Sequence, residues 1–318
     1  MHEEQYEMAL GEAEKRVLDV LIAADSGPAL PIAVLAAACA RLGGSPSEVD
    51  VRTMLVSLGP LVARGAAGTP DEIVSSTLRG FSDLRVHAAI ADAAAMLAPT
   101  SAAANRYAEA TEAEHLWLAG RPEEALRSLE ARPLAEPALN YERWADWVPR
   151  FHPTSLLGIQ AQARCATWTG KADEPRRAIQ AFVALLPTAV RHLSPCHRET
   201  LSIRNNIAYL VGALGDHRKA MRLFAQLVID STAALSATDE ETLHNRHLLA
   251  WTTAKCGFVS VALHQWRQLL SDVDRELASN HKLAFNIRDN IDFWTAETRA
   301  RSSRGRNWTH RHAAGADR

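Results

Sequence analysis

The sequence predicts an all-α protein in two parts: a small helical module with a short β element, then an α-solenoid of stacked helix pairs. Three observations carry this prediction. An internal repeat with an offset of 42 residues runs through the second half of the 318-residue chain. Each copy of it reads as two helices about a glycine turn. The composition, 47% hydrophobic and 23% charged, supports a buried core and an ordinary solvated surface.

The repeat is visible residue by residue. Glu-Thr-Leu at 199–201 returns at 241–243, and the same offset of 42 relates Arg204, Arg246 and Arg288. It also relates Tyr209, Trp251 and Phe293, then Gly215 and Gly257, Ala220 and Ala262, and Leu227 and Leu269. Leu156 and Gly170 stand 45 residues before Leu201 and Gly215, whereas Ala178 stands 42 before Ala220. This places three extra residues in the first copy, around Lys171-Ala172-Asp173. Within a copy, one helix spans Leu201 to Leu214, Gly215-Asp216 turns the chain, and a second helix runs from Arg218 to Leu235. Such a pair cannot bury both apolar faces alone, so neighbours must stack.

Composition divides the chain into residues 1–98, 99–151, 152–296 and 297–318. In the first segment, Leu18, Val20, Leu21 and Ile22 mark a helix that stops at Asp25-Ser26-Gly27-Pro28. Pro31 to Leu42 reads as a second helix, ended by Gly43-Gly44. Ser47 caps a third, Glu48 to Leu58, and residues 65–69 with Glu72-Ile73-Val74 read as a turn and a strand. Three short helices followed by a β element outline a winged-helix-like domain, closed by a helix from Leu84 to Leu97. Residues 99–151 read as a linking and capping segment with helices at Asn105–Ala119 and Pro122–Leu129. Residues 297–318, rich in arginine, serine, glycine and histidine without periodicity, read as a disordered basic tail.

Several function classes are disfavoured. A net charge of −2 provides no general field for nucleic acid or anionic membrane, so polyanion binding would need a local patch. The four cysteines form no C-x-x-C pair, which suits a reducing cytoplasm. The polar N-terminus lacks a secretory pattern, and the longest apolar stretch, Ala29 to Ala40, is too short for a bilayer. The expectation is a cytoplasmic protein, and the alanine and arginine usage suits a GC-rich bacterium. No nucleophile elbow or H-E-x-x-H occurs. His244 with His247, and His192 with Cys196 and His197, fall short of a metal ligand set and read as surface histidines. No enzyme activity, cofactor or metal is expected.

The 42-residue unit with Thr-Leu, Arg-Asn-Asn-Ile-Ala, Gly and then Ala resembles the kinesin-light-chain type of tetratricopeptide repeat. His152-Pro153 followed by Leu156 resembles the start of such units. His197 with Thr200-Leu201 keeps part of that start, while Asp239 and His281 head units that depart from it. The segment from Trp168-Thr169-Gly170 to Pro187 resembles repeats of bacterial STAND-type (NB-ARC/NACHT-like) signalling NTPases, in which a P-loop domain precedes a winged helix and repeats. Residues 11–98 resemble that winged helix, through Ser75 to Phe81 and His87 to Asp92. No G-x-x-x-x-G-K-S/T motif is present, so the chain resembles the C-terminal arm of such a protein without its motor.

That resemblance implies a binding groove lined by the first helices of successive units: Asn205, Asn206 and Tyr209; then His244, His247 and Trp251; then Asn286, Asp289, Asn290 and Phe293. Amides can satisfy an extended peptide as donor and acceptor, and aromatics add contact area. Two readings of Tyr209, Trp251 and Phe293 stay open, groove lining or core between repeats. Leu248 interrupts the asparagine series. For Arg204, Arg246 and Arg288, pairing with an acid of an adjacent unit is favoured over a basic ladder. The leading expectation is a non-catalytic scaffold or sensor arm that binds a protein or peptide. The alternatives are a transcriptional regulator reading DNA through residues 45–78, and a regulatory subunit of a separately encoded P-loop NTPase. The DNA reading is disfavoured because Glu48, Asp50 and Arg52 leave the recognition helix without a basic face.

Overall fold

The computed structural model describes residues 10–24, 28, 30–58, 62–64, 72–75, 83–277 and 281–313, with side chains placed except at 63, 64, 72–75 and beyond 300. It divides into two compact units, residues 1–133 and 134–318. The segment 99–151, expected to link two domains, is instead shared between them. The expected turn at 65–69 lies outside the described residues.

In the N-terminal unit, helices α1 (Glu12–Ala23), α2 (Ile32–Arg41) and α3 (Glu48–Ser57) are followed by α4 (Leu84–Leu97), α5 (Ala102–Leu118) and α6 (Pro122–Ala131). Three short strands, β1 (Leu30–Pro31), β2 (Val62–Arg64) and β3 (Glu72–Ser75), form an antiparallel sheet in the order β1-β3-β2. Leu30 pairs with Ile73, and Val62 with Ser75. Only β3 was expected from the sequence, since the other two strands are too short to show alternation. Ser47 caps α3 by accepting from the Asp50 amide at 3.2 Å, while Asp50 accepts from the Ser47 amide at 2.8 Å. Val17, Leu21, Leu35, Val51, Ile90 and Tyr107 lie in one buried core. Beneath it, His115 bridges α4 and α5, with Nδ1 2.9 Å from His87 Nδ1 and Nε2 3.0 Å from the Tyr107 hydroxyl.

The C-terminal unit begins with α7 (Pro137–Trp147) and a 3-10 turn (Val148–Arg150). Three helix pairs follow: α8 (Leu156–Lys171) with α9 (Pro175–His192), α10 (Arg198–Ala213) with α11 (His217–Ala234), and α12 (Glu240–Lys255) with α13 (Val259–Glu276). The last helix is α14 (Lys282–Ala313). Every start and end in these pairs is 42 residues from its counterpart, including the first pair. The three extra residues expected after Gly170 are therefore absent. Gly170 lies inside α8, and Asp173 takes the left-handed conformation (φ 68°) that Gly215 (95°) and Gly257 (92°) take 42 and 84 residues later. The offset of 45 arose from matching Leu156 to Leu201, whereas Ile159 occupies that buried position.

The common register has a steric cause. A Cβ on Gly170 would lie 3.3 Å from the Ala178 Cβ, and one on Gly212 would lie 3.2 Å from that of Ala220. Ala254 and Ala262 are the corresponding buried pair of the third repeat. Small residues at both places let the two helices of a pair approach closely. Each first helix begins at an equivalent cap: Ser155, His197, Asp239 and His281 each accept a backbone N–H, at 3.1, 3.2, 3.0 and 3.3 Å. The histidine Nδ1 atoms replace the usual oxygen.

Residues 297–313, expected as disordered tail, continue α14. A helix already nucleated by its packed first half extends at little cost through alanine and arginine. Trp266 on α13 is completely buried in the third-repeat core. Trp266→Ala should cost about 3–5 kcal/mol, read as a lower denaturant midpoint; a loss below about 1 kcal/mol would contradict this packing.

Candidate functional site

The candidate site is the face of the C-terminal unit formed by α10, α12 and α14. Arg198, Glu240, Glu241, His244, His281, Lys282, Leu283 and Asn286 line a hollow of about 630 Å³ across the N-terminal ends of these helices. Charged residues join the repeats along its rim. Arg198 reaches Asp239 at 2.7 Å and Glu241 at 3.1 Å, and His281 lies 3.3 Å from Glu240. Burial raises the pKa of Glu241 despite the nearby Arg198.

The ten expected groove residues separate into three groups. Tyr209 (53% exposed) and Phe293 (61%) present their rings to solvent, and His244, Asn286 and Asp289 are also exposed. Asn206 and Asn290 are half-buried. Each donates its amide to the carbonyl one turn earlier, Ser202 at 2.9 Å and Asn286 at 2.7 Å, and each keeps its side-chain oxygen for other contacts. His244 has an exposed side chain with protein on several sides, and desolvation lowers its pKa.

The remaining three are committed to packing. Asn205 donates to Asn245 of the next repeat. Trp251 is half-buried, lying edge-on to His217 with ring centroids 5.7 Å apart. Here the core reading is correct, whereas Tyr209 and Phe293 follow the groove reading. His247 is 7% exposed and accepts a hydrogen bond from the Trp266 indole at 3.2 Å, so it lines no groove and is no surface histidine. The reason is that α12 lies between α10 and α14 and has α11 and α13 against its sides, so few positions remain open. Leu248 is likewise buried.

The arginine series is paired throughout. Arg204 reaches Asp230, and Arg246 reaches Asp272 at 2.7 Å, each within its own repeat rather than in an adjacent one. Arg288 reaches back to Asp274 of the preceding repeat at 2.6 Å. The Arg246 hydrogen bond holds the Asp272 carboxyl below its ordinary pKa. Sequence reasoning missed Asn245, which is completely buried between Asn205 and Ser231. The signal was present: the equivalent residues 42 before and after it are Ile203 and Ile287. No group of three or more potential metal ligands occurs among the described residues.

A face of first helices, each backed by a second and stacked at constant register, defines a helical-repeat protein. No family model and no curated protein matches the chain. Among solved structures it is similar to a kinesin-light-chain protein of nearly identical TPR-like repeats from Podosopora anserina. The identity is 17% and the TM-score 0.41, over 67% of this chain and 96% of that one. A variant of the same protein gives 17% and 0.42, over 65% and 92%. No helix among the described residues is long and apolar enough to cross a membrane.

Burial lowers the His247 pKa from 6.5 to about 4, with His244 adding to the effect. The folded state thus prefers the neutral ring. Its contribution is complete above pH 6.5 and is lost as pH falls toward about 4. The full effect is about 3 kcal/mol. Urea midpoints measured across that window should fall for the wild type and fall less for His247→Leu; equal slopes would show that His247 is not buried in the neutral form.

Proposed function

We propose that the protein is a non-catalytic interaction scaffold or sensor arm that holds a protein or peptide partner against α10, α12 and α14. The observation that carries this reading is the exposure of Tyr209 and Phe293 at equivalent repeat positions, beside the polar Asn206, Asn286 and Asn290. A monomeric solenoid gains nothing from solvent-exposed rings at a register where Trp251 is packed. A bound chain would cover the rings and meet the free amide oxygens. The proposal includes a winged-helix-like N-terminal unit acting as a lever, in a bacterial cytoplasmic signalling role where any NTPase is a separate chain. Its three helices and three-stranded sheet support this outline. Helix α3 offers little to DNA, since Arg52 lies 3.9 Å from Glu48.

Peptides selected from a displayed library by the wild type should lose most of their binding to the Asn206→Leu, Asn290→Leu double variant. Truncating polar contacts at an interface costs about 1–3 kcal/mol each, and partly exposed amides contribute little to folding. Arg52→Glu should leave peptide binding unchanged. Undiminished binding by the double asparagine variant would remove the α10–α12–α14 face as the site. Duplex-DNA retention lost only in Arg52→Glu would move the function to the N-terminal unit.

A further inference from the structure

The C-terminal stretch of the chain separates charge sharply. Residues 299–318 hold six arginines against a single aspartate, a net of +5 in a chain whose total is −2. The preceding residues therefore carry −7. The weak overall charge conceals a local cationic patch of the kind a polyanion needs.

The backbone of α14 places part of this patch in line with the candidate face. The helix is continuous from Lys282 to Ala313, so residues 286, 290, 293, 297, 301, 304, 308 and 311 follow one another in steps of three and four. They share one helical face. Asn286, Asn290 and Phe293 form its first half, and the sequence puts arginines at 301, 304 and 311 and a tryptophan at 308 on the second. Where this face meets the preceding repeat, Lys255 Nζ lies 5.3 Å from the Trp251 ring and 5.8 Å from that of Trp294. Its partners are rings, and no carboxylate lies within ion-pairing distance of it among the described residues. Aromatic residues and uncompensated cations thus alternate along the strip: Tyr209, Trp251 with Lys255, Phe293, then the arginines with the residue at 308.

We propose that this strip binds single-stranded nucleic acid, in addition to the partner face described above. Cations alone would serve any acidic polymer. Alternation with flat rings favours a strand whose bases are free to stack while its phosphates meet arginine and lysine. A duplex keeps its base faces stacked internally, and an acidic polypeptide has no flat face at each step. The carboxylates at 289 and 292 weaken the first half of α14 as an anion site, which concentrates phosphate contact on Lys255 and the residues beyond 300.

Fluorescence anisotropy with a fluorescein-labelled oligouridylate, at low and at physiological salt, tests the proposal on the full chain. Saturable, salt-sensitive binding is expected. Reversal of three arginines in Arg301→Glu, Arg304→Glu, Arg311→Glu should weaken it about tenfold or more at low salt and flatten the salt slope by about 2. Tyr209→Ala with Phe293→Ala should weaken it about fivefold or more with little change in slope. These positions lie on the surface or beyond the packed part of α14, and unchanged circular dichroism melts confirm that the variants fold. Absence of saturable binding at low salt overturns the proposal, as does full retention by the arginine variant. Binding of polyglutamate, phosphatidylserine vesicles or the matching duplex as tight as that of the oligouridylate also overturns it, and assigns the strip to a different anion. None of these outcomes bears on peptide selection by Asn206 and Asn290, so the two proposals fail separately.

Discussion

The close approach of paired helices at Gly170 and Ala178, Gly212 and Ala220, and Ala254 and Ala262 is the constraint on which the C-terminal unit depends. With no side chain to separate them there, the two helices of a repeat meet closely and leave their outer faces bare. Those faces become buried only against the next pair, and Phe182, Phe224 and Trp266 fill the space where second helices meet first helices. One contact geometry thus fixes helix length, turn position and the period. The left-handed residue that follows each first helix, Asp173, Gly215 or Gly257, keeps the same place in all three repeats.

A second constraint is polar. Asn245 stands where the neighbouring repeats have isoleucine, and it is buried between Asn205 and Ser231. A buried amide costs free energy unless its partners are in place, so it penalises any shift of one repeat past the next. The Arg198 contacts to Asp239 and Glu241 act in the same direction at the rim, although ion pairs this exposed contribute only modestly. A face held in fixed register can present Tyr209 and Phe293 at set positions, which is what a recognition surface requires.

Much of this was legible in the sequence, because a period of 42 leaves matched residues in separate helices. Helix pairs, turns and the stacked architecture follow from Gly215, Gly257, Ala220 and Ala262. The phase of the first repeat was not legible, since Leu156 resembles Leu201 while the buried equivalent is Ile159. The candidate site was half legible. Periodicity locates the first-helix face, but which of its residues stay open depends on neighbours. Tyr209 and Phe293 remain exposed, whereas the equivalent Trp251 is shielded by Gly212 and His217, and His247 is taken by Trp266. The short strands β1 and β2 left no signal because pairing, rather than alternation, defines them.

The central claim is that the C-terminal unit is stabilised by contact between repeats, and removal of one repeat tests it most directly. Deleting residues 239–280 joins Thr238 to His281, so that one N-cap position replaces another and the register is kept. Helix α14 then takes the place of α12. If stability is a sum of repeat and neighbour terms, the shortened chain stays helical but unfolds at a lower denaturant concentration with a smaller m-value. An unchanged midpoint and m-value would contradict the account.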